Sequence, residues 1–228
     1  RMALLFVRHA QASYGTDDYD RLSTLGWAQA GHLGAWLARE PQHFARVRVG
    51  AMRRHRETFE AVRRAFADAG HALPEPEEDP DLNEFDHGAV IRAFLTERAD
   101  ADLRARAASH DPAVVGPMLY AAILAWANDE LDAVPERWRV FGDRVARAGA
   151  AAAHATADGA TLVVSSGGVI ARLAQQALDV PAARAVDLNL AIRNASINEF
   201  SARHGALRFG SFNTLPHLAH DRRLWTYF

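Results

Sequence analysis

Cysteine is absent from all 228 residues. Its absence excludes disulfides, thiolate nucleophiles and Cys-based zinc sites, and makes a reducing cytoplasm the natural compartment. Long apolar runs are lacking too: none approaches the roughly 20 residues that span a bilayer. Residues 2–7 are too short for a signal-peptide core and run straight into Arg8 and His9. Excess charge of either sign is also missing. With 26 basic and 28 acidic residues the net charge is −2, so nothing global recommends nucleic acid or an anionic membrane as partner. Any anion pocket must be a local feature. Eleven scattered histidines show no ligand spacing, and neither a metal nor another cofactor is expected. What remains is ordinary globular composition, 49% hydrophobic and 24% charged, enough for a single α/β domain over residues 1–228.

The periodicity predicts alternating strands and helices. Residues 3–7 form a short continuous apolar run, the mark of a buried central strand. After a polar loop, Ser23 or Thr24 caps an amphipathic helix through about Arg39. Residues 44–49 alternate as a strand, 53–69 read as a helix, and the acidic, Pro-rich stretch 73–80 is expected to be an irregular connection. From 88 to 133 the pattern is helical, broken at Asp111-Pro112 and Gly116-Pro117, and reads as an inserted helical cap. A long helix over 135–157, a buried strand over 160–165 and a helix opened by Gly167-Gly168 follow. The tail predicts a hairpin of 195–200 with 207–212, turned at His204-Gly205. Such alternation implies a mainly parallel sheet covered by helices.

The sharpest feature is Arg8-His9 at the end of the first strand, where open α/β sheets place their ligands. The block Val7-Arg8-His9-Ala10-Gln11, followed by Leu22-Ser23-x-x-Gly26-x-x-Gln29-Ala30, resembles the opening signature of the histidine phosphatase (phosphoglycerate mutase-like) superfamily. Further blocks are similar in the same order. The segment 50–58, Gly-Ala-Met-Arg-Arg-His-Arg-Glu-Thr, resembles the family's Ser-Pro-Leu-x-Arg-Ala-x-x-Thr and assigns its second phosphate-binding arginine to Arg54. Arg53 and Arg56 read instead as a solvated helix face. Leu82-Asn83-Glu84 resembles the element that carries the proton donor, pointing to Glu84 with Asp86 as second choice. Residues 162–170 match the strand, Ser-His-Gly-Gly turn and helix, except that Ser166 stands where the second active-site histidine belongs. Lesser departures are Ala10 for a glycine and Gly15 for an asparagine. Asn213-x-x-x-His217-Leu218 is similar to the closing element.

The resemblance implies a three-layer phosphoglycerate mutase-like fold and a phosphoric monoester hydrolase with His9 as nucleophile. Arg8, Arg54, Ser166 and Gly167 would hold the phosphoryl group, with a small phosphorylated substrate or inorganic phosphate as ligand. Arginine forks suit phosphate oxygens better than lysine does. Losing the second histidine removes one donor from the cage, a cost on the order of 10²–10³ in rate, or ~3–4 kcal/mol. Ser166→His is therefore expected to restore it if the pocket has room. His87 and His217 are the candidates to fill the gap, though each also fits a surface or capping place. Ser166 leaves open a phospho-ligand binding or regulatory protein with little turnover; a mutase of glycerate phosphates is a remoter alternative. A serine hydrolase built on Ser166, Asp187 and His217 lacks the first glycine of the nucleophile elbow and leaves Arg8, His9 and Arg54 idle. Cap residues Phe94, Leu119, Tyr120 and Trp126 either line an entrance or pack the cap's core.

Overall fold

Strand β1 (Ala3–Arg8) splits its apolar residues between two faces, as a period of two demands. In the computed structural model, which describes residues 3–13, 18–108, 112–153, 159–203 and 206–227, Leu4 and Phe6 enter one hydrophobic cluster and Leu5 and Val7 another. Its parallel neighbour β4 (Ala160–Ser165), buried throughout, does the same with Val163 against Leu162 and Val164. Helices α1 (Thr24–Leu37) and α2 (Arg53–Asp68) cover the second face through Leu33, Leu37, Phe59, Val62 and Phe66. The first face is covered by α6 (Trp138–Ala153) and α7 (Gly167–Leu178), through Phe141, Val145, Ile170 and Leu173. Three layers result, because each central strand has two apolar faces to bury.

The sheet has six strands in the order β3-β2-β4-β1-β5-β6 among the described residues. Strands β2 (Phe44–Val49), β3 (Pro76–Glu78), β4 and β1 are parallel, while β5 (Ile197–Arg203) and β6 (Ala206–Thr214) add an antiparallel hairpin beside β1. The hairpin's turn at His204-Gly205 lies outside the described residues, as do Gly15, Asp111 and the end of the helix expected through 157. No helix among the described residues is long and apolar enough to cross a membrane.

Four expectations need correction. The acidic stretch 73–80 is not wholly irregular: residues 76–78 form an edge strand, and 80–82 a turn of 3-10 helix. Proline is tolerated as the first residue of an edge strand. Cross-strand charges hold the edge, with Arg46 gripping both carboxylate oxygens of Glu77 (2.7–2.8 Å) and Arg48 reaching Asp79 (2.6 Å). Gly116-Pro117 does not break its helix, since α5 (Pro112–Ala127) runs through Pro117. The burial of Met118, Ala122, Ile123 and Trp126 outweighs one missing backbone bond. Helix α6 begins at Trp138 rather than 135. Helix α8 (Ala182–Ala191) was not anticipated, because its short Ala-rich sequence shows no clear apolar stripe.

Helices α3 (His87–Glu97), α4 (Ala101–Ala107) and α5 share their core with the sheet. Phe94 and Trp126 are buried in the same cluster as Phe6 and Val163, with Leu119 and Tyr120 packed against it. Phe6 meets Phe200 edge-on at 5.3 Å in this layer. Phe6→Ala should cost about 3–5 kcal/mol of stability, read as a lower urea midpoint with the slope preserved.

Candidate active site

The parallel ladder of β1 and β4 continues one residue past the strand, with the His9 amide donating to the Ser165 carbonyl at 2.8 Å. The ends of β1 and β4 are thereby locked together. On the other side of β4, the Gly50 amide donates to Val164 at 3.0 Å and leads into α2. Thr58 ties α2 back to the first strand: its hydroxyl donates to the Arg54 carbonyl (2.7 Å) and accepts from the Ala10 amide (3.1 Å). Arg8, His9, Arg54, Glu84, Ser166 and Gly167 therefore gather at one carboxyl edge of the sheet. Arg53 and Arg56 do not join them, being half-exposed and paired with Asp18, Glu57 and Glu78.

His9 is 4% exposed. Its Nδ1 lies 2.8 Å from the Ala10 carbonyl. A carbonyl can only accept, so Nδ1 carries the proton and Nε2 keeps a free lone pair. Burial first, then the charges of Arg54 and Arg8, hold the ring well below the ordinary histidine pKa. A neutral imidazole with a bare nitrogen is a nucleophile at neutral pH.

Arg54 is buried and Arg8 half-buried, and both are only partly engaged. Arg8 donates through Nη1 to the Ile192 carbonyl (2.5 Å) and through Nη2 to that of Tyr227 (2.8 Å), while its buried Nε has no partner. Burial lowers its pKa to about 10, opposed by Glu84, so it stays cationic at neutral pH. Arg54 gives Nη1 to Asp20 at 2.7 Å, lies over the Tyr19 ring, and also leaves a buried Nε unpaired. Unpaired buried guanidinium N–H groups are costly unless an acceptor arrives.

Glu84 accepts the Gly168 amide at 2.9 Å, so the first-turn N–H expected to face an external anion already holds a carboxylate. A Cβ at Gly168 would stand 2.2 Å from Glu84 Oε1 and 2.7 Å from the Phe85 ring, so only glycine leaves the carboxylate this place. Asp86 faces away from such a role, capping α3 by accepting from Ala89 at 2.8 Å. His87 stacks on Phe85, ring centroids 3.9 Å apart, and burial lowers its pKa although Glu84 opposes this.

The gap expected at Ser166 is filled by a residue that sequence reasoning missed. His55, on the first turn of α2, brings Nε2 to 2.6 Å from Ser166 Oγ, and both side chains are fully buried. Its ring centroid is 5.7 Å from that of His9. The imidazole of His55 therefore stands beside Ser166, where a histidine at position 166 would also need room. Neither His87 nor His217 occupies the position. His217 is buried against α1, and the burial, followed by His32, lowers its pKa to about 4. Asp187 pairs with Arg184 at the surface. A Ser166–Asp187–His217 triad is thus not assembled. Sequence reasoning also missed the tail: Tyr227 on Arg8, and Thr226 and Leu224 on Gln29, whose Oε1 accepts from the Gln11 amide.

A family model described as histidine phosphatase superfamily (branch 1) matches residues 4–214. No curated protein matches the chain. Among solved structures it is similar to phosphoserine phosphatase of Entamoeba histolytica in complex with 3-phosphoglyceric acid, at 16% identity and a TM-score of 0.66, covering 96% of this chain and 100% of that one. It is similar also to phosphoglycerate mutase of Bacillus anthracis (19%, TM-score 0.64, 96% and 95% covered). The alpha-ribazole phosphatase of Shigella flexneri is comparable (20%, TM-score 0.61, 93% and 96% covered). At these identities the likeness carries the fold, which is the phosphoglycerate mutase-like α/β fold.

Four histidines have pKa values below the ordinary 6.5: buried His9, His55 and His217, and half-buried His87. As pH falls below 6.5 the unfolded chain takes up protons that these folded rings refuse. Stability should therefore be full above pH 6.5 and fall as pH drops toward 4, each ring adding a slope of up to about 1.4 kcal/mol per pH unit. Urea midpoints measured from pH 7.5 to 5 check this, and His217→Gln should fold with a shallower dependence.

Proposed function

We propose that this chain, which belongs to the histidine phosphatase superfamily, is a phosphomonoester hydrolase working through a phosphohistidine on His9. The observation that carries the reading is the bare Nε2 of a buried, neutral His9 set beside Arg54 and Arg8, each with a buried Nε–H that has no partner among the described residues. A phosphate dianion supplies the acceptors those groups lack. Nε2 attacks phosphorus as the bond to the leaving oxygen breaks, and Glu84 gives that oxygen its proton. Water then attacks the phosphohistidine, Glu84 takes the proton back, and inorganic phosphate departs. Arg8 and Arg54 spread their charge over the equatorial oxygens, where the transition state concentrates its own. Ser166 adds a hydroxyl donor, and Gly167 keeps the turn beside Arg8 open: a Cβ there would stand 3.3 Å from Arg8 Nε.

Asp20 on Arg54 and Glu84 on Gly168 lower the positive charge of the site. They are what favours the second reading, a protein that binds a phosphorylated ligand with little turnover. His55 beside Ser166 weighs for turnover, because the donor position is not vacant. Within the single-domain reading, the cap of residues 88–133, built by α3–α5, is the part that would select among small phosphorylated substrates in the cytoplasm.

Hydrolysis of p-nitrophenyl phosphate tests the reading, with His9→Ala expected at background. Glu84→Gln should lose on the order of 10²–10³ in kcat/KM, which reports phosphoryl transfer to His9, on alkyl phosphates and far less on p-nitrophenyl phosphate, whose phenolate leaves without a proton. Equal losses on both would remove Glu84 from the acid role. Phosphate should raise the melting temperature of the wild type, and less so that of Arg8→Ala and Arg54→Ala.

A further inference from the structure

We infer that His55 and Ser166 act as one hydrogen-bond donor to the transferring phosphoryl group, with Ser166 Oγ touching it and His55 as the positioning residue behind. The inference rests on the phosphatase reading and deepens it.

Ser166 sits where β4 gives way to α7, one residue after the carbonyl that receives the His9 amide. Its hydroxyl is therefore adjacent to the nucleophile through the backbone itself. A serine hydroxyl can donate one hydrogen bond and accept others, and left alone it rotates freely. His55 Nε2 at 2.6 Å removes that freedom. In the tautomer that carries its proton on Nε2, that N–H donates into Oγ, and the hydroxyl proton is turned away from the imidazole toward a phosphoryl oxygen. The reach of a histidine is thereby built from two shorter parts. One stands on the β4–α7 turn and the other crosses from α2.

Gly50 makes this possible. A Cβ there would lie 2.1 Å from His55 Nδ1 and 2.7 Å from its Cε1, both ring atoms of a fully buried residue. Gly50, His55 and Ser166 therefore form a spatial set: glycine admits the ring, and the ring reaches the serine. In the related family blocks these positions are serine, alanine and histidine. The chain departs from the blocks at all three places, which are mutual neighbours in the fold. The imidazole comes from α2 and lies near His9, at 5.7 Å between ring centroids. A role for Ser166 as nucleophile fits less well, because it would leave the bare Nε2 of His9 and the arginines beside it without a part in the chemistry.

Relocating the imidazole tests the inference. His55→Ala should lower kcat on p-nitrophenyl phosphate on the order of 10²–10³, with KM little changed, because the donor acts on the transition state. Ser166→His alone should not exceed wild type, since His55 fills the space. The double variant His55→Ala/Ser166→His should regain at least about tenfold over His55→Ala, a recovery that mere repair of packing would not give. Melting temperatures establish that each variant is folded. Vanadate affinity is read in parallel and should fall and recover in the same order. If wild type shows no turnover while vanadate follows this order, the phosphatase reading fails and the donor pair stands. His55→Ala with wild-type kcat and vanadate affinity would overturn the pair, as would a folded double variant that stays at the His55→Ala level in both. Labelling of Ser166 by a fluorophosphonate would overturn it too, by making the serine a nucleophile.

Discussion

The pairing of β1 with β4 is the interaction on which the rest depends. Five registered residue pairs, from Leu4 opposite Thr161 to Arg8 opposite Ser165, bring chain segments more than 150 positions apart to one edge. One further bond, from the His9 amide to Ser165, sets the nucleophile beside the turn that carries Ser166. Because a parallel ladder has one register when both faces are buried, a slip by one residue would send Leu4 and Phe6 to the wrong layer. The precision of the site is thus a consequence of core packing. The same apolar alternation that builds the layers also aims Arg8 and His9.

Charge is the second constraint. Two guanidinium groups are taken largely out of water within one cluster, which is unfavourable unless acceptors surround them. The chain meets this with the Ile192 and Tyr227 carbonyls on Arg8 and with Asp20 on Arg54. Both Nε–H groups remain unsatisfied. That residual demand gives a dianion its affinity, while burial first, and arginine charge after it, keeps His9 and His55 neutral.

The strands and most helices were legible because their apolar period is local and their caps are explicit: Ser23 accepts from Gly26 as its place before α1 implied. Edge strand β3 was not, because its pairing depends on Arg46 and Arg48 of another strand rather than on its own residues. Helix α5 was legible except at Pro117, where packing overrides a local breaker. In the site, Arg8, His9, Arg54, Glu84 and Ser166 were found because each sits in a block with fixed spacing. His55 was overlooked although it lies beside Arg54. Its signal was the joint departure at Gly50, His55 and Ser166, which has meaning only once α2 is known to pack its first turn against the β4–α7 turn. The tail that seats Tyr227 on Arg8 left no local trace at all.

A structure of the vanadate complex bears most directly on the account, which holds that one pocket at the β1–β4 edge binds a phosphoryl group in line with His9. The account predicts vanadium bonded axially to His9 Nε2, equatorial oxygens on Arg8, Arg54 and Ser166 Oγ, and His55 still behind the serine. Vanadate bound elsewhere, or bound here with His9 Nε2 out of line, would contradict it.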